Sequence, residues 1–243
     1  MTSTFVCRAE VPVTERTAPD GTRLRNRFFT GQRSRVAGDS PMGYLVTFPP
    51  HYEGRAHLHA QDQFQVFYPS AGAIYKKTPI DSFLLHYTDA FTVYGPFFSG
   101  EQPLEFFTLR ARHNDLTAYL PEGRDQVAHR KTRQFMVSLP VSWNAPEAGS
   151  ASVGELIAAE ADGLAAFLVE AGPGTAITLP DSPGDSPRYA LVLNGSVGAS
   201  QPGQALRYEA KRTRGDKITA GPGGIRIVTM HYPDPPTPLL AAD

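Results

Sequence analysis

Residues 54–72 read GRAHLHAQDQFQVFYPSAG, and the order of residue types in this stretch decides how the rest of the chain is read. Its second part, DQFQVFYPSAG (62–72), is an apolar and aromatic run closed by Pro and Gly, the pattern of a sheet strand that runs into a turn. Its first part carries His57 and His59 with Leu58 between them. Strand residues i and i+2 share a face, so both imidazoles would point one way and Leu58 the other. Gln63 follows four residues after His59, beyond an expected turn, and His86 stands in a further strand-like run, FLLHYTD. Three imidazoles at about 2.1 Å, from His57, His59 and His86, with the weaker oxygen of Gln63, would hold one divalent first-row ion and leave positions open for substrate or dioxygen. The plain alternative is that His57 and His59 are half-exposed strand residues and that His86 hydrogen-bonds within a crowded strand.

Outward from this stretch the same texture continues. LRNRFFT (24–30), MGYLVTF (42–48), GAIY (72–75), FLLHY (83–87), FTVYG (91–95) and LEFFTLR (104–110) are short apolar runs bounded mostly by turn residues. After Tyr119 the texture turns polar and Pro-broken, with one apolar strand or anchor at Phe135–Val137. Short runs then resume at LAAFLVE (164–170), TAITLP (175–180), YALVLNG (189–195), ALRYEAK (205–211), DKITA (216–220) and IRIVTMHY (225–232). VGELIAAEA (153–161) suits a short helix or a strand equally, and GPGG (221–224) reads as a tight turn. The expectation is an all-β chain of two halves, 1–125 and 150–243, joined by a crossing segment at 126–149, with an extended Pro-rich tail. DQFQVFYPSAG laid over PRYALVLNGSV (187–197) matches at an offset of 125, as a duplicated β-barrel unit would.

Composition bounds the functions. The 243 residues include 14 Phe and 10 Tyr, enough for a sizeable core, and 22 each of Gly and Pro, which suits many turns. Lys plus Arg is 23 against 24 for Asp plus Glu, so there is no general attraction for nucleic acid or an acidic membrane. Cys7 is the single cysteine, which excludes an internal disulfide and points to a reducing compartment. No apolar stretch reaches signal-peptide or membrane-spanning length, and a cytoplasmic protein is expected. There is no P-loop, dinucleotide fingerprint, serine elbow or H-E-x-x-H helix.

The segment from Gly54 to Gly72 resembles the first motif of the cupin superfamily, a glycine, a spacer, H-x-H, a short gap, usually a glutamate, and a strand ending near glycine. His57 and His59 stand at the paired histidines, and Gln63 stands where the glutamate is usual. His86 is the match for the histidine of the second motif, reached without its P-x-G turn. The second half resembles a cupin unit without a metal: Ile227 stands at its histidine, Ser182 and Gly184 at the H-x-H positions, and Arg188 at the position of Gln63. The resemblance implies two cupin-like antiparallel β-barrel (jelly-roll) units, a bicupin, and a homodimer.

A neutral three-histidine centre leaves the charge of its ion uncompensated and favours a substrate with an anionic oxygen. The expected function is a metal-dependent oxygenase, with Fe(II) favoured and Mn, Ni, Cu or Zn as alternatives. A non-oxidative lyase or isomerase, or a non-catalytic small-molecule-binding bicupin, are the rivals. Tyr68 and Tyr94 are the candidate acids or donors, and Phe67, Tyr75, Arg27 and Arg110 the candidate substrate contacts.

Overall fold

The computed structural model describes residues 4–18, 20–31, 40–112, 117–128, 131–181, 187–199, 203–210 and 215–234. Ser182, Gly184 and all but the first two residues of the Pro-rich tail lie outside them. In chain order the strands are β1 (Val6–Cys7), β2 (Thr14–Thr17), β3 (Arg23–Thr30), β4 (Met42–Phe48), β5 (Glu53–Gly54), β6 (His57–His59), β7 (Gln63–Phe67), β8 (Ile74–Tyr75), β9 (Thr78–Pro79) and β10 (Phe83–Thr88). Then follow β11 (Phe97–Phe98), β12 (Leu104–Arg110), β13 (Thr117–Tyr119), β14 (Gln134–Leu139), β15 (Ala151–Ile157), β16 (Ala165–Ala171), β17 (Ala176–Thr178), β18 (Arg188–Val197), β19 (Ala205–Glu209) and β20 (Lys217–His231). The described residues form two compact units: the first holds residues 12–141, and the second holds residues 4–11 together with 142–234. Strand β14, which carries Phe135–Val137, is therefore part of the first unit, and β1 is part of the second.

The first unit is built on an antiparallel sheet in the order β14-β10-β7-β12-β4-β3-β2, with a four-stranded sheet β5-β11-β8-β9 and the pair β13-β6. One face of the large sheet supplies Leu24, Val46, Phe48, Phe67, Leu84 and Phe106, which pack with Tyr75 and Phe97 of the small sheet and with Tyr94. The period of two along each strand puts alternate residues into this core. The second unit has the order β1-β19-β18-β20-β16-β15, with β17 on β20. Val169, Ala171, Ala190, Val192, Ala205, Ile225 and Ile227 line one face of this sheet, closed over by Ile177, Leu179, Ile218 and Ala220.

The all-β expectation holds, but among the described residues no sheet closes into a barrel. Both large sheets keep open edges, at β14 and β2 in one unit and at β1 and β15 in the other. The ambiguous segment at 153–161 begins inside β15, a strand. FTVYG is not a strand: Phe91 has φ +59° and Gly95 φ +82°, and Tyr94 makes only an isolated bridge to His57. GPGG is not a chain reversal but an interior stretch of the fifteen-residue β20. There the pairing with β18 slips, and Gly195 and Gly224, both at φ +76°, let the backbones touch. A Cβ on Gly195 would stand 2.1 Å from the Gly224 carbonyl oxygen, so the bend requires glycine.

The two sheets correspond strand by strand: β7 with β18, β10 with β19, β12 with β20, β4 with β16, β3 with β15, and β14 with β1 at the edge. Register makes the correspondence residue-specific. Gln63 pairs Thr88 and Gln65 pairs His86, as Arg188 pairs Glu209 and Ala190 pairs Arg207. Gln65 pairs Thr108, as Ala190 pairs Thr229. The offset of 125 therefore holds for β7 and β18, while the flanking strands β10 and β12 correspond at 121. His86 matches Arg207, and Ile227 matches Phe106, so His86 and Ile227 are not counterparts. They lie on opposite neighbours of the central strand.

Candidate functional site

The first unit contains a pocket whose empty space, its open mouth included, is about 830 Å³. Strand alternation places its wall. Asn26 and Phe28 come from β3, Tyr44, Val46 and Phe48 from β4, Gln65 from β7, and Phe106, Thr108 and Arg110 from β12. His57 and His59 of β6, Thr117 and Tyr119 of β13, and Arg16, Tyr52, Arg55, Tyr94 and Phe97 complete most of it. Three guanidinium groups thus line the pocket, and no Asp or Glu does among the described residues.

The two imidazoles of β6 converge as the i, i+2 spacing requires, with ring centroids 5.1 Å apart, while Leu58 is fully buried on the other face. His57 Nδ1 is 2.7 Å from the Arg55 carbonyl oxygen, which fixes the proton on Nδ1 and leaves Nε2 as the acceptor. Burial, helped by the Arg110 and Arg16 charges, holds His57 down to about 4 against the lift of that carbonyl. It is neutral at physiological pH. His59 Nδ1 lies 3.1 Å from the Thr117 hydroxyl.

Gln63 and His86 do not join them. The Gln63 Oε1 accepts from Arg110 Nε at 3.2 Å and Nη2 at 3.1 Å. Its Nε2 forms no hydrogen bond, although the amide lies near enough to the Tyr94 phenol to favour that group's ionised form. His86 is fully buried on β10, with Nδ1 3.0 Å from Gln65 Oε1 and Nε2 3.0 Å from both the Tyr75 hydroxyl and Gln134 Nε2. Both its nitrogens are engaged by the protein. Among the described residues no group of three or more His, Cys, Asp or Glu side chains is placed to hold a metal ion. Of the four residues expected to act together, His57 and His59 face the pocket, while the Gln63 oxygen and both His86 nitrogens are engaged in hydrogen bonds within the protein.

Of the other sequence candidates, Tyr94 lines the pocket, and burial drives its phenol well above the usual range, so it stays protonated. Arg110 lines it too and is 3% exposed. Phe67 and Tyr75 stand behind the wall, Phe67 stacked on Phe106 at 4.8 Å and Tyr75 bonded to His86. Tyr68 packs with Phe83 and Phe107, and Arg27 alternates with the lining residues Asn26 and Phe28; neither lines the pocket. Arg16, Asn26, Arg55, Gln65, Thr117 and Tyr119 were not anticipated. Gln65 had a usable signal, because it shares a strand face with Gln63. Asn26 had one as well, as a polar residue at an inward position of LRNRFFT. Arg55 is ion-paired with Glu122 and set over the Tyr119 ring at 5.4 Å from its centroid.

No family model and no curated protein matches this sequence. Solved structures do match. A candidate dioxygenase from Nostoc punctiforme is similar at a TM-score of 0.65 and 14% identity, over 96% of this chain and 83% of the other. The bacterial pirin of Escherichia coli, solved with nickel(II), matches at 0.55 and 5% identity, over 96% and 99%. The likeness to these structures is one of fold. Vicilin from hazelnut (Corylus avellana) matches at 0.53 and 9% identity, over 94% and 87%. Proteins with quite different names thus share this architecture, and the likeness fixes the fold rather than the reaction. No helix among the described residues is long and apolar enough to cross a membrane.

Proposed function

We propose that the first unit takes up a small organic molecule bearing an anionic oxygen on a flat apolar body. The observation that carries this reading is the charge of the pocket wall. Arg16, Arg55 and Arg110 line it, and no lining residue among those described is a carboxylate. Arg55 is paired with Glu122, outside the lining, so Arg16 and Arg110 carry the positive charge, while Phe28, Tyr44, Phe97 and Phe106 offer flat apolar faces. A carboxylate or phenolate entering here meets guanidinium donors in a partly desolvated site, where charge-assisted hydrogen bonds are strongest. The neutral His57, the protonated Tyr94 and the Gln65 amide add polar contacts without adding negative charge. Calorimetric titration with benzoate and its neutral analogue benzamide tests the reading. Benzoate should bind at least about tenfold more tightly, with an affinity that falls as salt rises. Equal affinities, or no uptake of benzoate, would sink it.

One observation favours a second reading, a metal-dependent oxygenase of the cupin kind. His57 and His59 sit side by side on the wall with each Nδ1 engaged by the protein, the arrangement that orients imidazoles toward an ion. The cupin-type fold shared with a candidate dioxygenase is compatible with it. Elemental analysis of the purified protein beside a His57→Ala/His59→Ala variant separates the two. The oxygenase reading predicts about one iron, manganese, nickel, copper or zinc per chain, lost in the folded variant. The anion-pocket reading predicts a ratio far below one in both.

A further inference from the structure

We infer that His86 is a positioning residue: held as the neutral tautomer protonated on Nδ1, it turns the Gln65 carboxamide so that its N–H group faces the pocket as a donor to the anion. This rests on the anion-pocket reading above and names the group that sets the polarity of one wall. The argument follows the chain of donors inward from the surface. Lys76 Nζ can only donate, and it stands 2.8 Å from Gln134 Oε1, so the amide nitrogen of Gln134 is the atom turned to His86. An amide nitrogen also only donates, which makes His86 Nε2 an acceptor and places the ring proton on Nδ1. The Tyr75 hydroxyl, 3.0 Å from the same Nε2, offers a second donor, its oxygen facing the Gly95 backbone N–H.

Register puts His86 directly opposite Gln65, and Nδ1–H meets Gln65 Oε1 at 3.0 Å. With its oxygen committed there, the Gln65 amide has only its nitrogen to offer the pocket that it lines. Unassisted, a carboxamide turns either end to a ligand, and the carbonyl end would repel an anion. Full burial holds His86 down to about 3, with the Lys76 charge adding to the effect, so the neutral form persists across the physiological range. The second unit has no such device: Arg207 stands at the His86 position and Ala190 at that of Gln65.

Two measurements on the full chain test the assignment. Nitrogen-15 NMR of histidine-labelled protein at pH 6 to 8 should show His86, identified by its loss in His86→Phe, with Nδ1 protonated and Nε2 unprotonated. The opposite tautomer, or a cationic ring, would overturn the inference, and the second measurement separates positioning from a merely structural role, which would leave the preference for benzoate over benzamide unmoved. Titration of Gln65→Glu, which keeps the acceptor for Nδ1–H but presents an oxygen to the pocket, should lower benzoate affinity at least about tenfold and leave benzamide within about twofold. Unchanged benzoate affinity would overturn it. Should the wild type take up no benzoate, the anion reading fails and the tautomer alone decides the role of His86.

Discussion

Gln63→Glu should leave the protein folded and cut its affinity for benzoate by about ten- to a hundredfold, the range expected when one hydrogen-bonded charge is lost to a ligand. Gln63 is fully buried, and its Oε1 accepts from both Nε and Nη2 of Arg110. A carboxylate is nearly isosteric with the amide, so the contact becomes a bidentate charge-assisted pair without new volume. The second carboxylate oxygen replaces an amide nitrogen that forms no hydrogen bond and lies beside the protonated Tyr94 phenol, which can donate to it. Folding is therefore retained, while the Arg110 charge is cancelled inside the site and an arriving anion meets a like charge. The oxygenase reading predicts the reverse for the same variant: a glutamate in place of Gln63 would add a ligand and raise the metal-to-protein ratio. Titration calorimetry, elemental analysis and a melting curve on one preparation decide between them. Unchanged benzoate affinity would take Arg110 out of recognition.

The contrast explains which parts of this protein were open to reading. MGYLVTF and LEFFTLR coincide with β4 and β12 because each apolar burst ends where a turn begins. Period two correctly put His57 and His59 on one face, since local geometry alone decides that. What depended on pairing was hidden. His86 was read as a third ligand from its type and its strand, which were visible, whereas its hydrogen-bond partners Gln65 and Gln134 follow from the register of β10 with β7 and β14, which was not. The positive wall was hidden for a similar reason. Arg16, Arg55 and Arg110 come from distant segments, and a near-neutral total charge conceals their convergence. FTVYG failed on backbone grounds, as an apolar run broken by residues with positive φ. The edge strand β1 could not be placed at all, because Val6 and Cys7 pair with Leu206 and Ala205 across nearly the whole chain.

The correspondence of the two sheets also locates the second unit's weakest point, and Asp216→Ala is expected to destabilise that unit by about 3–5 kcal/mol, the usual cost of breaking a buried ion pair from one side. Where the first unit keeps neutral Gln63, Gln65 and Thr88 beside His86, the second buries Arg188, Arg207, Glu209 and Asp216, each no more than 8% exposed. Arg188 donates to Glu209, to Asp216 at 2.9 Å and to the Pro180 carbonyl at 2.8 Å, while Arg207 is held by Asp216 and by Glu209 at 3.1 Å. Asp216 thus joins both guanidiniums, and Phe5 covers Arg207 with its ring centroid 4.7 Å from the guanidinium carbon. Removing its carboxylate leaves two cations to share Glu209 in a place that water does not reach. His231, held down to about 3 by burial and by the Arg188 charge, stays neutral and neither adds to the excess nor compensates it. Replacing all four side chains by Met and Leu of similar volume should cost far less than the single change, since no orphaned charge remains. Hydrogen exchange followed residue by residue reads the effect in place. Amides of β18 and β20 should lose protection in Asp216→Ala while those of β7 and β12 keep theirs, and a loss of less than about 1 kcal/mol at β18 would show that the network is wet or its charges already screened.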